Sequence, residues 1–409
     1  RGVAYWPGDT ANPPRIFFTA ERRLIALAAG TGEPVASFGK DGEAEMIAPY
    51  NSAPTVFKNL LILGTNGSPG GVRAFDARTG AVVWEFNSVA QPGDPANKTW
   101  DGDSWKERSG TYSWAFSQTL DAERGLLYVA IETPGPNDYW GGDRNGDGLY
   151  GNCLVALDAE TGRLKWYFQA VHHDLWDYDL PSPPALLDVT VNGWRTPILA
   201  LAAKTGYMYI LDRVTGRPVF GIEERSVPPS GAPNEKSSPT QPIPIKPPPI
   251  AKVGYRADEI VTAADTNAEH AQFCRELTER SGGFYNEGPF SPYVFRDAGA
   301  KPFSTILFPG SIGGANWGGT AADPTSGYVF VNTNDEASIG WIEKAPEGGR
   351  SPYRRNSIVG PTSRFQWKEG DPRTGNIMGG ERGWLCNRPP WGNLVAVNGV
   401  LEQVGLGTQ

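Results

Sequence analysis

Apolar residues in this chain come in short runs of four to seven, cut by polar turns rich in glycine, proline and aspartate. Runs of that length with β-branched and aromatic members predict strands rather than helices. Four stretches share one pattern: Arg23–Phe38, Gly71–Phe86, Cys153–Phe168 and Tyr207–Ile222. Each leads an apolar strand into a polar turn carrying a Thr-Gly pair, at Thr31, Thr79, Thr161 and Thr215, then into a second segment with an aromatic near its end. An aspartate can cap such a turn, and glycine takes up the positive φ it needs. Further strands are predicted at Leu60–Thr65, Gly125–Ile131, Pro197–Ala203 and Gly327–Thr333. A constant hairpin motif at irregular spacing predicts β-sheet repeats with variable insertions, as in propeller blades, the closing aromatic packing onto a neighbouring unit. A β-sandwich is the plainer alternative. One region breaks the pattern: a proline-rich crossing, Val227–Ile250, precedes a segment of helical periodicity, Ala257–Gly283. Strands resume after it, so 227–283 is expected to be an insertion within one domain, 1–409.

Composition agrees. The 409 residues include 51 Gly, 36 Pro and 14 Trp, which disfavours long helices and favours half-buried strands. A net charge of −8 without a basic run leaves out the electrostatic footprint of a nucleic-acid binder. No apolar run is long enough for a transmembrane span. Three cysteines, Cys153, Cys274 and Cys386, allow at most one disulfide, and no CxxC pair or CxxCH haem motif occurs.

Several familiar chemistries are absent from the sequence. Asp143–Gly148 opens like an EF-hand loop, but Leu154 stands where the bidentate glutamate belongs, so a surface turn is expected. His172 and His173 are adjacent and would point apart on a strand, which does not suit zinc. No GxSxG elbow and no GxGxxG strand-to-helix turn occurs. The glycines of Gly310–Gly319 suggest that something flat approaches the backbone there. Val171–Pro184 is the densest cluster of ionisable groups, with His172, His173, Asp174, Asp177 and Asp179 beside Trp176. Lys204 ends an apolar strand, an unusual place for an amine without a partner. A carboxylate beside a cation can take a proton from an alcohol. A turn cap at Asp177 and a snorkelling Lys204 are the ordinary alternatives.

Taken in order, "RGVAYWPGD", "HHDLWDYDLP", "KTGYMYILDR" and "GGANWGG" closely resemble the pyrroloquinoline-quinone (PQQ) dependent dehydrogenases, nearer their sugar and polyol members than the methanol enzymes. The resemblance runs from the first residue to about Asn398 and implies an all-β, eight-bladed propeller with tryptophan-docking repeats. It implies oxidation of an alcohol, polyol or sugar hydroxyl, with electrons passed to a cytochrome c or ubiquinone, in the periplasm. Asp177 falls on the catalytic base and Lys204 on the cation that bonds the quinone oxygens. Arg1, Thr111, Trp114, Asn316, Trp317 and Trp391 fall on cofactor-contacting positions, Trp114 as the indole floor. Of the methanol-type metal ligands, Pro69 replaces the glutamate and Thr133 the asparagine, which leaves Asn66 and Thr133 as oxygen donors beside Asp177 for Ca²⁺. His172, His173, Asp174 and Asp179 are expected to support Asp177 rather than to react. The start and end of the sequence suggest part of a longer chain. A non-catalytic propeller scaffold for protein assembly is the rival reading; it has no need of Asp177, Lys204 or Asn316.

Overall fold

The structure, a computed structural model, describes residues 2–106, 108–368, 383–398 and 403–408. Three sheets follow one another as antiparallel meanders of four strands: Ala4–Trp6 to Glu43–Glu45, Thr55–Phe57 to Val82–Asn87, and Gln118–Asp121 to Leu164–Gln169. A fourth, three-stranded, runs from Ala185–Val191 through Trp194–Ala202 to Met208–Asp212. All four Thr-Gly turns occupy the expected places. In each of the last three, an aspartate accepts backbone N–H groups across the turn, as Asp158 does from Thr161 at 3.1 Å and Asp212 from Thr215 at 2.8 Å.

The second halves of the repeats differ, for a reason visible in their side chains. After the Thr79 and Thr161 turns the outer strand is complete, paired along Val82–Asn87 and Leu164–Gln169. After the Thr31 and Thr215 turns the segment that follows makes only single bridges, Leu27 with Pro34 and Leu211 with Pro218, and the first sheet takes its fourth strand later, at Glu43–Glu45. Proline has no N–H to continue the ladder, so the strand ends where it would begin.

Alternation along the strands decides which interface each residue fills. Leu61 and Leu63 pack with Phe17 and Leu24 of the first sheet, while Ile62 packs with Leu127 and Val155 of the third. Leu199 and Leu201 face Tyr128 and Leu154 of the third sheet, while Ile198 and Ala200 face Val329 and Val395 of a later one. The sheets therefore stack face to face in sequence, the inner strands of the second to fourth buried on both faces and the first sheet on one. Aromatics lock neighbouring sheets at the turns. The ring of Phe38 lies over Gly80, Trp84 over Gly162 and Trp166 over Gly216. Trp84 also donates its indole N–H to the Ala159 carbonyl at 3.2 Å. In the second and third repeats the crossing aromatic is thus the tryptophan two residues before the closing phenylalanine.

The later strands interlace. The chain leaves one sheet after Ser304–Leu307, crosses at 308–319 to form the hairpin Thr320–Asp323/Tyr328–Asn334 of another, then returns as Ser338–Lys344. Within 227–283, the segment expected to be an insertion, lie the strand Thr240–Pro244, which pairs with Ile222–Ser226 just before it, and the helix Ala268–Arg280. Asn267 caps that helix by accepting from the His270 N–H at 2.9 Å. Its buried face, His270, Ala271, Cys274 and Leu277, is fastened to the sheets by the Cys274–Cys386 disulfide, while Cys153 is free and buried.

Candidate functional site

Three elements deliver charged side chains to one cavity of about 400 Å³. The strand Leu126–Ala130 runs out into Glu132 and Thr133, and Trp194–Ala202 runs out into Lys204. Between them the bend at 171–180 supplies Asp177 and Asp179. The crossing at 308–319 adds Asn316 and Trp317, and the 111–117 loop adds Trp114. Trp114 is 41% and Trp317 57% exposed.

Asp174 shapes the bend. Its carboxylate accepts from the backbone N–H groups of Trp176 at 2.8 Å and Tyr178 at 2.7 Å, from the Asn152 amide at 2.9 Å, and from the Thr133 hydroxyl. Folding the chain around that carboxylate leaves Asp177 at a φ of +63°, rare for a residue with a side chain. The Lys204 ammonium then bridges Asp177 Oδ1 at 3.0 Å and Asp179 Oδ2 at 2.7 Å, and Tyr139 donates to Asp177 Oδ2 at 3.2 Å. Gly313 makes room for the lysine. A Cβ there would lie 2.4 Å from Lys204 Cβ, at a φ of +84°. The glycine-rich crossing is thus approached by the lysine stem, where the sequence suggested something flat.

Burial dominates the electrostatics. Burial and the neighbouring Asp179 push Asp177 well above the usual carboxylate range, against the pull of Lys204. Asp179 is held low despite burial, because Lys204 and the Thr133 N–H both stabilise its anion. Burial disfavours the Lys204 cation, yet the two carboxylates outweigh that and raise it. Burial, then Asp179 and Asp138, lift Glu132 to about 9, and burial with Asp179 lifts Asp138 to about 6. Four carboxylates therefore share the cavity with one ammonium, an excess that a multivalent cation would relieve.

Of the residues singled out by sequence, Asp177, Lys204, Thr133, Trp114, Asn316 and Trp317 come together here. Thr111 lies beneath, fully buried; its N–H reaches the Thr133 carbonyl at 3.2 Å and fastens the Trp114 loop. Asn66 stays outside the cavity lining: its amide donates to the Ser113 carbonyl at 3.2 Å and its oxygen accepts from the Asn51 N–H at 3.0 Å. Trp391 also stands apart, among Trp384 and His270 near the insertion helix. Pro69 lines a separate cleft with Trp105 and Arg108. Arg1 lies outside the described residues. His172 and His173 sit in the bend, not on a strand, and pair with Glu224 and Glu235.

Glu132, Asp138 and Tyr139 escaped the sequence reading. Glu132 carries the same signal as Lys204, a charge at the mouth of a wholly buried strand. Among the described residues, the His, Cys, Asp and Glu groups close enough for one ion reduce to His270, Cys274 and Cys386, whose sulfurs are already joined. The cavity carboxylates ring a space instead of meeting at a point. Two indoles in the wall, a buried ammonium and a ring of oxygens fit a planar anionic cofactor with a cation beside it.

The family model for the PQQ-linked glucose/ethanol/alcohol dehydrogenase β-propeller domain matches residues 1–405. The quinate/shikimate dehydrogenase (quinone) of Acinetobacter baylyi is 32% identical over 445 residues, covering 99% of this chain and 52% of that protein. The quinoprotein glucose dehydrogenase of Gluconobacter oxydans is 30% identical, covering 96% and 50%. The chain thus spans about half the length of these relatives. A europium-containing methanol dehydrogenase superposes with a TM-score of 0.64 at 21% identity, over all of this chain and 61% of that one, a likeness of fold. With the family model matching nearly its whole length, the chain belongs to the PQQ-dependent dehydrogenase β-propeller family.

Proposed function

We propose that the protein containing this chain oxidises a CH–OH group of a polyol, sugar or related alcohol to the carbonyl, using PQQ and a divalent cation. The observation that carries this reading is the buried Asp177–Lys204 pair opening onto a cavity that Trp114 and Trp317 line. Trp114 and Trp317 would offer flat apolar surface to the ring system, and Lys204, with Asn316, would bond its polar atoms. The chemistry supplied by bound PQQ would be that of a hydride acceptor, and a bound cation would add Lewis-acid polarisation and offset the carboxylates. Asp177 Oδ2 takes the hydroxyl proton as the carbinol hydrogen leaves with its electron pair, and Tyr139 orients that oxygen. Lys204, already bonded to Asp177 Oδ1, steadies the charge on the other side.

The proposal extends to the finer expectations: a single domain closed as eight blades with 227–283 inserted, Ca²⁺ as the ion, a periplasmic location, and cytochrome c or ubiquinone as acceptor. Asp177, Thr133 and the neighbouring Glu132 are its oxygen donors to the ion. The substrates named for relatives, quinate or shikimate, glucose and glycerol, set the class. The test is dye-linked alcohol oxidation by the full-length protein reconstituted with PQQ and Ca²⁺. Turnover requiring both supports the reading; protein that never binds the quinone at micromolar concentration overturns it.

A further inference from the structure

A second cavity, of about 640 Å³, adjoins the first across Asp138, which lines both. Where the inner space is walled by four carboxylates and one ammonium, the outer is lined by Arg350, Arg354 and Arg355 together with the acids Asp138 and Glu347. Arg354 is neutralised by Glu343 at 2.8 Å. Arg355 is not. Its guanidinium bonds only neutral oxygens, the Tyr293 hydroxyl at 3.5 Å and the Pro361 carbonyl at 3.2 Å, and forms no ion pair among the described residues.

A guanidinium presents five donors in a fixed fork, so most of this one's capacity remains available. Its placement is rigid: Arg355 lies on the strand Tyr353–Asn356, opposite Ile342. It also packs 3.8 Å from the centre of the Tyr139 ring, the tyrosine whose hydroxyl donates to Asp177. The Arg355 guanidinium thus lies over the ring face of the tyrosine whose hydroxyl reaches the proposed base.

We propose that Arg355 makes this a site for polyhydroxy carboxylates, an inference that rests on the dehydrogenase reading and specifies its substrate. The carboxylate sits on the Arg355 fork, the ring of the substrate lies along Tyr139, and the reacting hydroxyl reaches Asp177. A neutral sugar leaves the guanidinium without a counter-charge, and an ester of the same acid does likewise.

The test compares quinate with its methyl ester and with glucose, on full-length protein loaded with PQQ and Ca²⁺. Wild type should favour quinate over the ester in kcat/KM by roughly ten- to a hundredfold, the value of a charge-assisted bond. Arg355→Gln should raise KM for quinate by a similar factor and collapse the acid-to-ester ratio toward one, with the quinone Kd unaltered. Arg355→Lys, which keeps the charge but not the fork, should restore part of the ratio. An equal loss for acid and ester, a weakened quinone Kd in Arg355→Gln, or a wild type indifferent to the ester would overturn the inference. If the loaded protein oxidises no alcohol, the dehydrogenase reading falls, and calorimetric titration with quinate decides this one. Binding lost in Arg355→Gln and kept in Arg355→Lys upholds the carboxylate site; no binding to wild type overturns it.

Discussion

Asp158 and Asp174 perform the same local task in different surroundings. Each carboxylate gathers backbone N–H groups from the residues just after it: Asp158 from Glu160 and Thr161, Asp174 from Trp176 and Tyr178. At Asp158, on the rim of a sheet, solvent and the Lys165 ammonium keep the anion comfortable, below its ordinary pKa despite the desolvation it feels. At Asp174 the side chain is almost wholly enclosed, and burial lifts it instead. The rim turn joins two strands. The enclosed bend also holds Asp177 in left-handed backbone under Lys204 and Tyr139. Burial, not the turn motif, separates a connector from a site.

The sharpest way to test that contrast is to remove chemistry while leaving the bend. Asp177→Asn keeps the size of the side chain and removes the base. The reconstituted protein should lose about 10²- to 10⁴-fold in kcat, the usual contribution of a positioned base, while far-UV circular dichroism stays that of the wild type. Equal kcat in the variant would sink the assignment of Asp177. The next test removes the two capping carboxylates in turn. Asp174→Ala strands enclosed N–H groups and the Asn152 amide, at a cost of about 3–5 kcal/mol. Asp158→Ala loses bonds that water replaces, at about 1 kcal/mol. Urea midpoints of the two variants measure the difference; equal costs would show that burial does not set the worth of the motif.

The rim also has its own gradient. Gly162 and Gly32 occupy the same place in two repeats, both at positive φ, 69° and 76°. A Cβ on Gly162 would lie 2.4 Å from the Trp84 ring, whereas nothing lies within 4 Å of one on Gly32. Gly32→Ala therefore carries only the backbone strain, about 1 kcal/mol, and Gly162→Ala adds the displaced tryptophan, about 2–4 kcal/mol in all. Thermal unfolding of the two variants should rank them in that order.

That gradient explains what could be read from the sequence. Thr-Gly turns and apolar runs are local, so the strands, the repeats and the helix within 257–283 were legible in the sequence. Asp177 and Lys204 were legible because a resemblance in order and spacing supplied the long-range part. The lysine–carboxylate contact itself spans 27 positions and no local rule encodes it. The proline truncations at Pro34 and Pro218 were written in the sequence but weighed too little against the repeat. Asn66 and Trp391 failed to join the cavity because motif counting ignores where a loop turns. Asn66 spends both ends of its amide on the 51 and 113 loops, and Trp391 is held by the Asn387 carbonyl at 2.7 Å. Glu132 was missed because a lone glutamate at the start of a Thr-Pro-Gly turn reads as surface.

The smallest effect tests the electrostatic half of the contrast away from the proposed ion. Glu336 is enclosed like the cavity acids, with Arg364 at 3.0 Å, and burial lifts it to about 7 against that arginine. A carboxylate raised in the folded state binds its proton more tightly there than in the unfolded chain. Its contribution to stability is therefore complete below the unfolded value, 4.5, and is lost as pH rises toward 7. Rim aspartates such as Asp158, being lowered, act in the opposite sense at more acid pH. Glu336→Gln fixes the neutral form, so its stability should fall less than that of wild type between pH 4.5 and 7, the two curves diverging by about 1–3 kcal/mol. Urea denaturation at half-unit steps of pH measures this. Parallel curves would mean that Arg364 offsets the burial of Glu336 completely, and that enclosure alone does not distinguish inner acids from those of the rim.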